Sequence, residues 1–198
     1  KDPMRLPEEA YEREGVNGYF GSVSLEFKKM LFLDATYRRD MSSTLPSDSR
    51  SYGYPSISGS FLFSSIVNAD WLSLGKVRLN YAQVGSDAPW AVTQDFYRAI
   101  EAFNGNPLVS VDDTKNKLDL KPERTNSIEA GLEMSVFQNR LGFDLALYKS
   151  NTLDLITPLQ VSCATGRQYK YLNAGEIENK GIELSLTGTP VRTTDFKW

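Results

Sequence analysis

Apolar and polar residues alternate with a period of two along residues 124–151. Ile128, Ala130, Leu132, Met134 and Val136 share one parity, and Ser127, Glu129, Gly131, Glu133 and Ser135 share the other. After Gln138-Asn139 the pattern resumes, with Leu141, Phe143, Leu145 and Leu147 set against Gly142, Asp144, Ala146 and Tyr148. A period of two places successive side chains on opposite faces of a strand, so this stretch predicts two strands joined by a tight turn. Each arm runs for about 10 residues, the length that crosses a bilayer when tilted, and longer than the roughly 5–6 residues of an average strand. A half-buried soluble hairpin alternates in the same way.

The same period recurs through the chain. Residues 1–17 are charged, contain Pro3 and Pro7, and predict a solvated loop. Tyr19, Gly21, Val23, Leu25 and Phe27 then alternate with Phe20, Ser22, Ser24 and Glu26. Beyond Lys28-Lys29, the residues Leu31, Leu33, Ala35 and Tyr37 alternate with Phe32, Asp34, Thr36 and Arg38. A polar loop follows over 40–51, and then a strand over 52–63 with Pro55 near its start, where a missing N–H is tolerated. Val77, Leu79 and Tyr81 alternate with Arg78, Asn80 and Ala82, and Ile182, Leu184 and Leu186 with Gly181, Glu183 and Ser185. Two long connections, near 86–122 and 152–176, lack a sustained period, and Phe196-Lys197-Trp198 looks like the start of a further strand. The expectation is about eight strands.

Connections therefore alternate short and long. The polar parity carries Glu26, Asp34, Arg38, Arg78, Glu129, Glu133, Asp144 and Glu183. A transmembrane barrel accounts for both features, with short turns on one side, long loops on the other, apolar residues facing lipid and polar residues facing the lumen. A soluble β-sandwich accounts for the alternation but not for the loop asymmetry.

Composition narrows the chemistry. The 198 residues carry a net charge of −3, which offers no basic field for nucleic acid. No apolar run is long enough for a membrane helix, which leaves a barrel open. The chain has no histidine and one cysteine, Cys163, so neither an internal disulfide nor a Cys/His metal set can form. Asp112, Asp113, Asn116 and Asp119 supply oxygen donors, but lack the spacing and the glycine of a calcium loop. No phosphate loop or nucleophile-elbow serine occurs, so no enzyme, cofactor or metal is expected. Lys1-Asp2-Pro3 reads like the interior of a longer polypeptide.

Several segments together resemble the SusC/RagA type of TonB-dependent outer-membrane transporter. They are YFGSVSLEFKKMLFLDATYRRDMSS, YGYPSISGSF, VRLNYAQVGS, LDLKPERTNSIEAGLEMSVFQNRLGFDLALYKSNTLDLI and NAGEIENKGIELSLTGTPV. The resemblance runs in the family's order from Tyr19 onward, but no segment of 86–121 matches. It implies an all-β fold: residues 18–198 as part of an antiparallel transmembrane β-barrel of about 22 strands, with the plug domain and the rest of the barrel lying elsewhere, and residues 1–17 as an outer loop. It also implies the outer membrane of a Gram-negative bacterium, a SusD-like surface lipoprotein as lid, energy from TonB acting through the plug, and import of oligosaccharides or peptides. A soluble carbohydrate-binding sandwich and a TonB-dependent siderophore receptor are the alternatives.

In such an importer Trp90, Phe96, Tyr97 and Phe103 of the first long loop, and Tyr169 and Tyr171 of the second, are candidates for contact with cargo or lid. The plainer reading packs them beneath their own loops or in an interfacial girdle. The charges of the polar parity would line the lumen, most of them paired with one another or with the plug. The segment 173–181 suits a turn that leads into a strand and sets its register.

Overall fold

A computed structural model describes residues 11–191, 193, 194, 196 and 198. Its main element is one antiparallel seven-stranded sheet. The strands are β1 (Val16–Phe27), β2 (Leu31–Ser42), β3 (Ser51–Leu62), β4 (Leu72–Ser86), β8 (Glu123–Val136), β9 (Leu141–Leu153) and β12 (Ile177–Gly188). They pair in the order β1-β2-β3-β4-β8-β9-β12, so strands consecutive in this set are neighbours throughout.

Register makes the alternation of each strand add up to two continuous faces. One row runs Leu25↔Leu33↔Gly59↔Leu79↔Ala130↔Leu147↔Ile182, from one edge of the sheet to the other. On the opposite face Ser24↔Asp34↔Ser58↔Asn80↔Glu129↔Tyr148↔Gly181 runs parallel to it. A one-residue slip anywhere would invert a whole strand, so the matched faces show that pattern and pairing agree.

The apolar face is exposed. Ile182, Leu184 and Leu186 are 73%, 60% and 68% accessible, and Val23 and Leu79 are comparably open. Among the described residues no second sheet covers this face, as a soluble sandwich would require. On β8 the face extends from Ile128 to Val136, about 27 Å along the strand and about 20 Å along a membrane normal at a tilt of about 40°. That is of the order of the roughly 25 Å apolar band of outer-membrane barrels. Tyr19, Tyr37 and Tyr81 lie towards one margin of the band, where amphipathic rings favour the interface, and Phe27 and Phe61 lie towards the other. Among the described residues β1 and β12 have no outer neighbour, so the sheet is an open segment of wall.

Connections segregate by end. The turn 28–30, the connection 63–71 with its 3-10 turn Phe63–Ser65, and the turn 137–140 lie at one end. In the first of these Lys28 and Lys29 both adopt positive φ (52° and 55°), and the Met30 N–H donates to the Phe27 carbonyl at 3.0 Å. Positive φ at both central residues is the feature of the primed turns whose twist suits the flanking strands, here with Met30 as a third connecting residue because Phe27 pairs with Leu31. The segments 43–50, 87–122 and 154–176 lie at the other end. Here the long connections are structured. Segment 87–122 contains the hairpin β5 (Tyr97–Phe103) and β6 (Asn106–Val111), and β7 (Thr114–Lys115). Segment 154–176 contains β10 (Ile156–Gln160) and β11 (Tyr169–Asn173), which form a small sheet with β7. Leu45, Ala88, Val92 and Leu120 are buried together at this end, with Tyr52, Ile156 and Tyr171 packed against them.

Several boundaries differ from the sequence expectation. Among the described residues the sheet has seven long strands, and β2, β4, β9 and β12 run past the alternating residues. The reason is physical: near strand ends polar residues occupy both parities, so the pattern fades while the backbone ladder continues. Val16 and Asn17, expected in the charged loop, begin β1, and residues 1–10 of that loop lie outside the described residues. Phe196 and Trp198 are not in a strand, and Lys197 lies outside the described residues.

Candidate functional site

At the long-connection end, the side chains of two connections enclose an open cavity of about 560 Å³. Trp90, Phe96 and Tyr171 line it together with Val92, Arg98, Asp112 and Asn116. Asn116 fixes the wall. Its amide donates to the Ala91 carbonyl at 3.0 Å and to the Gln94 carbonyl at 2.5 Å, and its own N–H donates to Asp95 Oδ1 at 3.0 Å. These bonds hold the turn in which Ala91 takes a positive φ of 61°. Arg98 Nε lies 3.2 Å from Asp112 Oδ1, while Arg167 donates to the Asp112 carbonyl and its guanidinium lies 3.9 Å from Asp95. The cavity therefore combines aromatic faces with a guanidinium–carboxylate pair, a surface able to stack on a ring and hydrogen-bond a polar edge.

Three of the six candidate aromatics thus meet in one place. Tyr97 and Phe103 instead stand on the projecting β5–β6 hairpin, 71% and 75% exposed. Tyr169 opens β11 opposite Gln160 and Thr114, outside the cavity. The acidic stretch 112–119 is built into ion pairs and backbone contacts, with Lys117 Nζ 3.5 Å from Asp119. Among the described residues no His/Cys/Asp/Glu group is suited to a metal ion.

The charges of the polar face pair across strands. Arg78 of β4 reaches over β8 to Asp144 of β9, donating through two nitrogens at 2.8 and 3.1 Å. Gly131 makes this possible, because a Cβ there would lie 2.3 Å from Arg78 Nε. Arg78 also lies 3.5 Å from Glu129, and Lys76 lies 3.5 Å from Glu133. Glu183 faces the same concavity as Arg78 and Glu129. Asp34 accepts from Ser24 at 2.5 Å, and Glu26 sits opposite Phe32 near the short-turn end. Arg38 pairs with Asp40 at 2.9 Å, and the Tyr54 hydroxyl donates to the same carboxylate. Sequence reasoning missed Asp40 and Lys76, having ended one strand before Asp40 and begun another after Lys76. Extending each alternation by one or two positions would have found both.

Asn173 clasps the two long connections. Its amide donates to the Lys121 and Asp154 carbonyls at 2.8 and 3.0 Å, and its Oδ1 accepts from the Lys121 N–H at 2.9 Å. Glu123 Oε1 accepts from the Ile156 N–H at 2.8 Å, and Gly175 turns the chain at φ 104°. These contacts tie the lead into β8 to the end of β9 and to β10 and β11.

A family model described as "TonB dependent receptor-like, beta-barrel" matches residues 5–198. TonB-dependent receptor P26 of Formosa agariphila is 29% identical over 204 residues, covering 100% of this chain and 21% of the relative. TonB-dependent receptor SusC of Bacteroides thetaiotaomicron is 26% identical over 200 residues, covering 94% of this chain and 20% of the relative. The solved structure of the RagAB peptide transporter superposes with a TM-score of 0.85 at 26% identity, over 93% of this chain and 21% of that one. The siderophore receptor PirA from Pseudomonas aeruginosa, 15% identical with a TM-score of 0.58 over 86% of this chain and 30% of that one, shares the fold. The chain spans about a fifth of the length of the curated relatives it matches.

Proposed function

The chain belongs to the TonB-dependent receptor β-barrel family, in its SusC/RagA type, and from that premise we propose that it forms wall and outer loops of an importer in the outer membrane of a Gram-negative bacterium. The apolar face meets lipid. The polar face, with Arg78, Glu129, Glu133, Asp144 and Glu183, meets the lumen or the plug that fills it. The long connections face outward. Cargo is an oligosaccharide or a peptide held at the Trp90–Phe96–Tyr171 cavity, and a SusD-like lipoprotein closes over that end. TonB supplies the energy through a plug contributed by other parts of the polypeptide.

The observation that carries this reading is the single-layer sheet: one exposed apolar face, one ion-paired polar face, two edges without a neighbour among the described residues, and the two longest connections at one end. A soluble protein would leave that apolar face in water, far beyond the few hundred Å² such proteins tolerate. The test uses a polypeptide of the relatives' length carrying this segment, extracted from outer membranes in mild detergent. The expected results are a mobility shift between unheated and boiled samples, a co-purifying lipoprotein, and growth on an oligosaccharide or peptide that is lost on deletion. Trp90→Ala with Phe96→Ala is expected to weaken cargo binding about tenfold while keeping the heat-dependent shift. A soluble parent chain without that shift would overturn the reading.

A further inference from the structure

A second, smaller cavity of about 230 Å³ adjoins the one described above. Arg13, Ser43, Thr93 and Gln94 line only this one, whereas Trp90, Ala91 and Phe96 line both. Trp90 and Phe96 are each half-exposed, so their rings form a wall common to the two cavities. A volume of about 230 Å³ lies below the roughly 300–1,000 Å³ of a self-standing small-molecule site. The smaller cavity therefore suits an extension of whatever the larger one holds.

The turn 91–94 beneath the shared wall is already fixed. Val92 is buried with Leu45, Ala88 and Leu120. Its carbonyl accepts from the Lys117 N–H at 3.1 Å, and the Ala91 and Gln94 carbonyls accept from the Asn116 amide. Three of the turn's four carbonyls are thus occupied, which leaves no strand edge there on which an extended peptide could add its main chain. The second cavity offers side-chain chemistry instead: the Thr93 and Ser43 hydroxyls, the Gln94 amide and the Arg13 guanidinium, beside two aromatic rings. Ser43 Oγ accepts from the Gly15 N–H at 2.9 Å and keeps its own proton to donate. Across both cavities the charged lining is Arg13 and Arg98 against Asp112 and Asp113, which balance. Aromatic faces, polar donors and acceptors, and no net charge suit rings that bear hydroxyl groups.

We infer that the two cavities form one track for a neutral oligosaccharide, in which Arg13, Ser43, Thr93 and Gln94 hold a sugar unit on the far side of the Trp90–Phe96 wall. The inference rests on the cargo site proposed above and extends it by a second subsite. A short cargo reaches one side of the wall only, and a longer one contacts both. Because Asn116 and the buried Val92 fix the wall before cargo arrives, little ordering cost is charged against the added contacts. Affinity therefore depends on cargo length in a way that one cavity alone would not produce.

The experiment uses the full-length polypeptide in mild detergent, titrated calorimetrically with neutral gluco-, manno-, galacto- and xylo-oligosaccharides graded from disaccharide to hexasaccharide, and with peptides of matching length. In at least one sugar series wild type is expected to bind the longer members about tenfold more tightly than the disaccharide, the worth of one or two hydrogen bonds. Thr93→Trp fills the second cavity and is expected to bring that ratio down to about one. Tyr171→Ala, in the first cavity, is expected to weaken binding at every length. Every protein is first scored for the heat-dependent gel shift. A wild type without the shift defeats the barrel reading, and a shifted wild type whose binding Tyr171→Ala leaves untouched defeats the cargo site on which the inference rests. A shifted Thr93→Trp protein that keeps the tenfold ratio overturns the second subsite alone. So does a shifted wild type that binds the peptides but no oligosaccharide, or that binds neither. Should Thr93→Trp fail to shift, T93A/Q94A replaces it, with the ratio expected to fall at least about threefold and an unchanged ratio overturning the inference.

Discussion

Asp144 and Leu145 are neighbours in β9 that point to opposite faces, and substituting each in turn separates a membrane wall from any other sheet. Leu145 lies between Leu132 of β8 and Leu184 of β12, near the middle of the apolar band. Leu145→Arg places a guanidinium against hydrocarbon, which costs about 2–4 kcal/mol at a bilayer midplane, or roughly 30- to 1,000-fold in the folding equilibrium constant. Asp144→Asn removes one partner from the two-pronged Arg78 pair, but Arg78 and Asp144 are 23% and 40% exposed and Glu129 remains 3.5 Å from Arg78. Solvent screening and the surviving partner hold that loss to about 1 kcal/mol or less. The assay is denaturant unfolding of the full-length protein in lipid vesicles, followed by tryptophan fluorescence and by the gel shift. The reasoning is refuted if Leu145→Arg costs no more than Asp144→Asn, because the two faces would then meet the same medium.

Two further outcomes follow from the contacts between strands. Gly131→Val pushes the Arg78 side chain off its path to Asp144, so a double-mutant cycle with Asp144→Asn is expected to show a coupling of at least about 0.5 kcal/mol; strict additivity would mean that Arg78 does not depend on Gly131. Asn173→Ala deletes two hydrogen bonds between the long connections and one within the second, and is expected to cost about 1–2 kcal/mol. Limited proteolysis is expected to cut 154–176 faster in that variant, with the transmembrane strands still protected.

The sequence by itself determined the wall. Side chains alternate with a fixed period of two in any strand, so the Ile128–Val136 and Leu141–Leu147 patterns assign faces without knowledge of neighbours. The contrast between Lys28-Lys29 and residues 86–122 likewise assigns short and long ends. Both properties are local. Tertiary structure decided what local pattern cannot encode. It seats β8 against β4 across a connection of 36 residues (87–122), threads Arg78 over Gly131 to a carboxylate 66 positions away, and gathers Trp90, Phe96 and Tyr171 around one cavity while leaving Tyr97 and Phe103 on a hairpin. Contacts of that kind depend on where distant backbone segments come to rest, and the residues that make them, such as Asn116 and Asn173, satisfy individual carbonyls. A single amide meeting a single carbonyl leaves no period in the sequence to read.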